Sequence, residues 1–219
     1  MAELVIAPRF RGPDDSGNGG YSCGLIAAHL DGSVEVTLRL PPPLGVPLRV
    51  DDGRVLDGDA VVAEFASAEI ELEPPAPPSW EEAVDAQRPD VESPFPHCFV
   101  CGYARAQDDG LHIHAGPVRD GVVAGVWVPR EDTVGEEFVW AALDCPGAYA
   151  AGIFGRGALV LGRLAADVRR VPVAGEHCVV LGWSLGAEGR KHYAGTAVFA
   201  GDELVGAATA VWVEPRPRS

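Results

Sequence analysis

The sequence predicts an α+β fold of two antiparallel sheets, each arranged about one central helix, and three observations carry that prediction. One helical run heads a series of alternating strands in the first third of the chain, and the same order returns in the second half. Between them lies "EPPAPPSWEEAVDAQRPDVESPFP", Glu73 to Pro96, rich in proline and acid and without sustained alternation. Within each half the strands follow one another as an antiparallel meander, which suggests a sheet wrapped around the helix. The chain therefore divides into a first repeat over 1–88 and a second over 89–219.

Taken in order, "GGYSCGLIAAHL" carries Tyr21, Leu25, Ile26 and Leu30 at helical spacing behind Asn18, so an amphipathic helix over about Gly19 to Leu30 is expected. "SVEVTLRL" alternates, "PPPLG" turns, and "VPLRV" followed by "AVVAEFASAEIEL" complete the first set of strands, with "DDGRVLDGD" as a connection. The second repeat opens with "GLHIHAGPV" and "GVVAGVWVP" as a hairpin and continues with one helix through "EEFVWAALDCPGAYAAGIF". Four strands follow in "ALVLGRLAADVRRV", "EHCVVLGWSLGAE", "RKHYAGTAVFAG" and "ELVGAATAVWV".

Composition bounds the function. In 219 residues, 47% are hydrophobic, enough for a sizeable core, while the formal net charge of −15 argues against a general affinity for nucleic acid or anionic membrane. Five cysteines with no disulfide spacing, and an N-terminus "MAELVIAPRFRG" without a basic or long apolar segment, lead to the expectation of a cytoplasmic protein with reduced thiols. No apolar run is long enough to span a bilayer, since "WAALDCPGAYAAGIFG" is short and contains Asp144 and Pro146.

Several phrases resemble a known family. "CFVCG" followed by "GL", the helix ending "AALDCPG" and the strand phrase "VRRVPVAGEHCVVLGWS" are similar to the hotdog fold of acyl thioesterases. "GNGGY", "LPPPLGVPLRV" and "VLDGDAVVAE" resemble the N-terminal half of double hotdog acyl-CoA thioesterases. The resemblance implies a double hotdog that hydrolyses acyl thioesters, with coenzyme A as part of the substrate and no separate cofactor. It also implies that covalent pairing replaces the dimer of single-hotdog chains, so a monomer or homodimer is expected. Two alternatives stand beside hydrolysis: a hotdog that binds an acyl or acyl-CoA ligand without cleaving it, and a hotdog hydratase, whose paired aspartate and histidine at the helix start are absent here.

In single-hotdog thioesterases the helix begins with histidine and two glycines, and an acid follows seven residues after the second glycine. Here Asn18, Gly19 and Gly20 match the start, but Ala27 stands at the acid's place; Asp144 matches the acid, but Gly135, Glu136 and Glu137 stand where histidine and glycines belong. The losses are complementary. The resemblance thus implies one composite site, with Asn18, Gly19 and Gly20 from one repeat and Asp144 from the other. The amide of Gly20 would stabilise the developing oxyanion and Asp144 would deprotonate water or attack as a nucleophile. Without the resemblance, Asn18 simply caps a helix entered by a glycine turn, and Asp144 caps a new helical turn opened by Pro146.

Further candidates surround this pair. Trp140 and Tyr21 are candidates to lie against the acyl group, the alternative being core packing. The resemblance implies that Arg169, Arg170, Arg190 and Lys191 meet the phosphates of the carrier, where composition alone reads them as solvated strand faces. Glu136 and Glu137 favour the helix dipole, either being a runner-up base. Cys98 and Cys101 have metal-ligand spacing, and His112 and His114, two apart on the expected strand, share a face. That spacing matches no common zinc finger, so these four are expected to hold no metal, and Cys23, Cys145 and Cys178 are read as packing residues. Ser22 in "GYSCG" lacks the strand and parallel sheet that a nucleophile elbow needs.

Overall fold

The computed structural model describes residues 2–88, 93–152 and 158–215. The first repeat contains β1 (Ala2–Val5), α1 (Gly19–Ala27), β2 (Val34–Leu38), β3 (Pro47–Asp51), β4 (Arg54–Asp57) and β5 (Ala60–Ser67). A connecting helix α2 (Trp80–Ala86) leads to β6 (Gly116–Arg119) and β7 (Val122–Trp127), then α3 (Glu136–Ala142), α4 (Cys145–Ala150), β8 (Val160–Val168), β9 (Cys178–Glu188), β10 (Lys191–Ala200) and β11 (Glu203–Val213). Residues 89–92 of the linker, where the two repeats were divided, and the expected helix end at Ile153 and Phe154 lie outside the described residues.

The strands form one antiparallel sheet in the order β1-β3-β4-β5-β2-β8-β11-β10-β9-β7-β6. This corrects the expectation of two separate sheets. The join is β2 against β8, with Val34 opposite Ala166 and Thr37 opposite Arg163. Each repeat on its own would expose a row of unpaired backbone groups along that strand, and pairing the two edges satisfies both. The order is also symmetric about the join. Moving outward, β2, β5, β4, β3 and β1 occupy the places that β8, β11, β10, β9 and β7 occupy on the other side.

Helices α1, α3 and α4 lie on one face of this sheet. α1 packs on α3, β2 and β8, while α4 packs on β7, β9, β10 and β11. Because α1 is enclosed by α3 and the sheet, its Tyr21, Cys23, Ile26 and Ala27 are all buried, so the helix is not amphipathic as expected. Its approach to α3 depends on two glycines one turn apart. A Cβ on Gly20 would lie 2.5 Å from the Trp140 carbonyl oxygen, and one on Gly24 2.7 Å from the Glu137 Cα.

The opposite face of the sheet is covered by α2 in the second repeat. Successive residues of β9 alternate, Cys178 and Val180 entering the helix-side core while Val179 and Leu181 join Ala83 of α2 in an outer one. Burial on both faces explains why "CVVL" reads as a continuous apolar run. The linker is therefore not unstructured throughout: Ser79 caps α2, its side chain accepting from the Glu82 amide while Glu82 accepts from the Ser79 amide.

Candidate active site

The second-repeat helix is two helices, broken where Asp144 takes φ −82° and ψ −83°. Pro146 lacks the N–H that a continuous helix would need and instead sits in the first turn of α4. Asp144 occupies the N-cap position of α4, but its side chain makes no capping bond there. It is turned toward α1. Asn18 Nδ2 donates to Asp144 Oδ2 at 2.7 Å, and the Gly20 amide donates to the same oxygen at 3.0 Å. Asn18 Oδ1 meanwhile accepts from the Tyr21 amide at 2.9 Å, so one side chain both caps α1 and holds the acid.

This arrangement brings Asn18, Gly19, Gly20 and Asp144 together, as the composite reading requires, but alters one role. The Gly20 amide does not face a cleft: it is spent on the carboxylate, because α1 and α3 touch at that point. Asp144 is 2% exposed, and its Oδ1 has no hydrogen-bond partner among the described residues. Burial raises its pKa to about 7, the bonds from Gly20 and Asn18 pull it back, and the nearby Cys98 pushes it up. A carboxyl tuned in this way exchanges a proton near neutral pH.

Asp144 lines a cavity of about 550 Å³, together with Asn18, Gly19, Cys98, Tyr149 and Trp212. The volume falls in the range of small-ligand sites, roughly 300–1,000 Å³. Apolar side chains from the β8 region, Leu159 and Leu161, form part of the wall, and Leu161 packs over Gly19. Among the described residues that line it, Arg39 is the one cation, and it is paired with Glu64. Sequence reasoning passed over Arg39, whose only signal was a charged residue at the start of the "LPPPLG" turn.

Other predicted residues lie elsewhere. Trp140 is buried in the α1–α3 contact, and Tyr21 stacks on Phe10 with ring centroids 4.0 Å apart; neither lines the cavity. Arg169 pairs with Asp167, and Arg170 with Glu176 and Glu203, again outside the cavity lining. Arg190 donates to the Glu214 carbonyl at 2.8 Å, beside the rim residue Pro215, and Lys191 begins β10 opposite Val213, also at the rim. Glu136 and Glu137 do not line the cavity; the Glu137 carboxylate folds back beside Gly135 at the start of α3.

The four-residue cluster Cys98, Cys101, His112 and His114 does not converge. Residues 110–115 form no strand, because His112 takes φ +54° and the segment bonds to the cysteine loop, Leu111 N–H to Phe99 O at 2.8 Å and Ile113 N–H to Val100 O at 2.9 Å. The His112 ring reaches the Ala106 carbonyl at 3.0 Å, while His114 is buried and its pKa is lowered by that burial. Cys145, expected only to pack, takes the histidines' place: the sulfurs of Cys98, Cys101 and Cys145 lie within 4.8 Å of one another.

No protein-family model and no curated protein matches the chain. Solved structures do. A conserved protein with a hotdog fold from Alicyclobacillus acidocaldarius matches with a TM-score of 0.60 at 12% identity, over 99% of this chain and 93% of that one. The tesB protein of Mycobacterium avium subs paratuberculosis matches with a TM-score of 0.60 at 15% identity, over 98% of this chain and 92% of the other. The acyl-CoA thioesterase II TesB2 of Mycobacterium marinum gives 0.59 at 15%, over 98% and 93%. The chain thus has a hotdog fold over nearly its full described length, as the resemblance implied. Among the described residues no helix is long and apolar enough to cross a membrane.

Proposed function

We propose that the chain hydrolyses acyl thioesters, with Asp144 as the general base of a single site shared by the two repeats. The observation that carries this reading is the asymmetry of one buried carboxylate. Oδ2 is fixed by Asn18 and Gly20 while the buried Oδ1 has no partner among the described residues, and Asp144 lines a largely apolar cavity. The likeness to the acyl-CoA thioesterase II structure of Mycobacterium marinum supports the same class of chemistry.

In the proposed reaction the acyl chain lies against Leu159, Leu161 and Trp212. Oδ1 takes a proton from water as its oxygen bonds to the thioester carbonyl carbon. The resulting oxyanion is met by the Gly19 amide, which as the first residue of α1 has no acceptor within the helix. Collapse breaks the C–S bond, and the thiolate leaves with the proton from Asp144, restoring the carboxylate. Coenzyme A is the proposed carrier, its phosphates meeting Arg39, the one cation of the cavity lining among the described residues. A hydratase is disfavoured because no histidine lines the cavity among those residues.

The test is a panel of acyl-CoA esters with release of free coenzyme A as the readout. Turnover by the parent chain and a loss of at least about a hundredfold in kcat for Asp144→Asn are expected. Thermal stabilisation by acyl-CoA without turnover of any member would replace hydrolysis by binding alone.

A further inference from the structure

Beside Asp144 lies a chemistry that thioester hydrolysis does not use. Cys98, Cys101 and Cys145 are buried free thiols, and their sulfurs lie within 4.8 Å of one another. Cys98 Sγ and Cys145 Sγ are 3.8 Å apart. A disulfide would need about 2.05 Å. Thiolates at the corners of a tetrahedron around a zinc ion, with Zn–S about 2.3 Å, stand about 3.8 Å apart.

The chain around these sulfurs is built to present them. In Cys98-Phe99-Val100-Cys101-Gly102 the backbone amides of Cys101 and Val100 donate to the Cys98 sulfur, and the Gly102 amide closes the turn on the Cys98 carbonyl at 2.9 Å. A Cβ on Gly102 would meet that carbonyl oxygen at 2.5 Å, so the turn requires glycine. Asn18 Nδ2 lies 3.7 Å from the same sulfur, and the Tyr149 side chain bonds to Cys101. Such donors fix sulfur ligands in place and favour their anionic form. The loop itself is clamped by Arg105, whose guanidinium donates to the His97 carbonyl at 2.7 Å and to the Arg9 carbonyl at 2.9 Å and lies over the Phe99 ring.

We propose that Cys98, Cys101 and Cys145 bind one thiophilic divalent cation, zinc as the cellular default, with a fourth coordination position open to the cavity. An all-sulfur donor set excludes magnesium and calcium, which take oxygen ligands. All three cysteines line the cavity, so the remaining corner faces space a ligand can enter. The set differs from the one the sequence singled out, because it replaces His112 and His114 by Cys145.

Metal binding is read on the protein alone, so this inference stands or falls independently of thioester turnover. The full chain is purified under reducing conditions without chelator and its metal content measured. The chelator-stripped protein is then titrated with Co²⁺ and followed by thiolate-to-cobalt charge-transfer absorption. One zinc per chain and a saturable cobalt band at one equivalent are expected. Cys145→Ser and Cys98→Ser should abolish both, whereas Cys178→Ser and the double variant His112→Ala with His114→Ala should keep them. Circular dichroism of each variant establishes that it is folded. A folded, reduced parent chain that takes up neither ion overturns the proposal, and so does a Cys145→Ser protein with an undiminished band. Should the cysteine variants fail to fold, the stoichiometry of the parent and the retained band of the histidine double variant still decide.

Discussion

Replacing Asp144 by asparagine should make the protein more stable at alkaline pH while removing its activity, and the structure sets the size of both effects. Burial holds the carboxyl at about 7 instead of 3.8, which amounts to roughly 4 kcal/mol against the charged form. The titratable group acting on it from a neighbouring element is Cys98 in the loop, and the carboxylate in turn pushes up the thiol of Cys23 on α1. Because the folded-state value is raised, the folded protein binds the extra proton between about pH 4 and 7. Stability therefore falls as pH rises through that window and is flat above it. An asparagine oxygen in the place of Oδ2 keeps the bonds from Asn18 and Gly20, but its NH₂ occupies the place of Oδ1, which offers no acceptor among the described residues. That buried donor costs about 1–3 kcal/mol. The net gain at pH 8 is then about 1–3 kcal/mol, and the difference between variant and parent should shrink by about 3 kcal/mol at pH 5. Urea unfolding of both proteins, reduced and metal-free, at the two pH values measures this directly. Parallel pH profiles would refute the burial argument, and full turnover by the variant would refute Asp144 as the base.

Further outcomes follow from the same geometry. Gly20→Ala places a methyl group 2.5 Å from the Trp140 carbonyl oxygen and should cost about 1–3 kcal/mol in thermal or urea unfolding, with kcat reduced at least about tenfold as Asp144 shifts. Gly24→Ala meets Glu137 and Trp140 instead, so it should destabilise comparably while affecting turnover less. Asn18→Ala removes both the cap and the bond to Asp144, costing about 1 kcal/mol or more, whereas Asn18→Asp keeps a cap acceptor but loses the donor, so its pH–rate profile should move to higher pH. Arg39→Ala should raise KM for acyl-CoA more than Arg169→Ala, which lies outside the cavity lining; equal effects would place the carrier differently.

What could be read from the sequence was what local patterning encodes. The strands β9, β10 and β11 are long apolar stretches of ten residues or more, separated by glycine turns, and appear nearly where expected, and Asn18 announces α1. β1 and β4 are four residues each, too short for a period to register, although Asp52 and Gly53 at φ +45° and +72° mark the tight hairpin turn that precedes β4. "SWEE" carried the capping signature of α2 inside a segment dismissed for its prolines. "LHIHA" alternated like a strand, but its backbone bonds go to the cysteine loop instead of a neighbouring strand. Cys145 could not be joined to Cys98 from sequence, since 47 residues separate them and only the break before α4 turns the two sulfurs together.

The complementary losses in the two repeats become intelligible once Asp144 is seen in place. A helix N-terminus stabilises a nearby carboxylate, while enclosure by Leu143, Trp140 and the cysteines destabilises it. Either influence alone would leave the group permanently charged or permanently protonated at neutral pH. The first repeat supplies the amide and the Asn18 donor, the second supplies the burial, and the carboxyl settles at about 7 between them. Asparagine suits this better than a cationic histidine would, because it donates a hydrogen bond without adding a charge that would pull the acid down. A second acid at Ala27 would lie on the same buried helix without such donors, and its charge would have no comparable compensation. One such carboxyl per chain is therefore what the shared core can hold, and the two repeats divide its support between them.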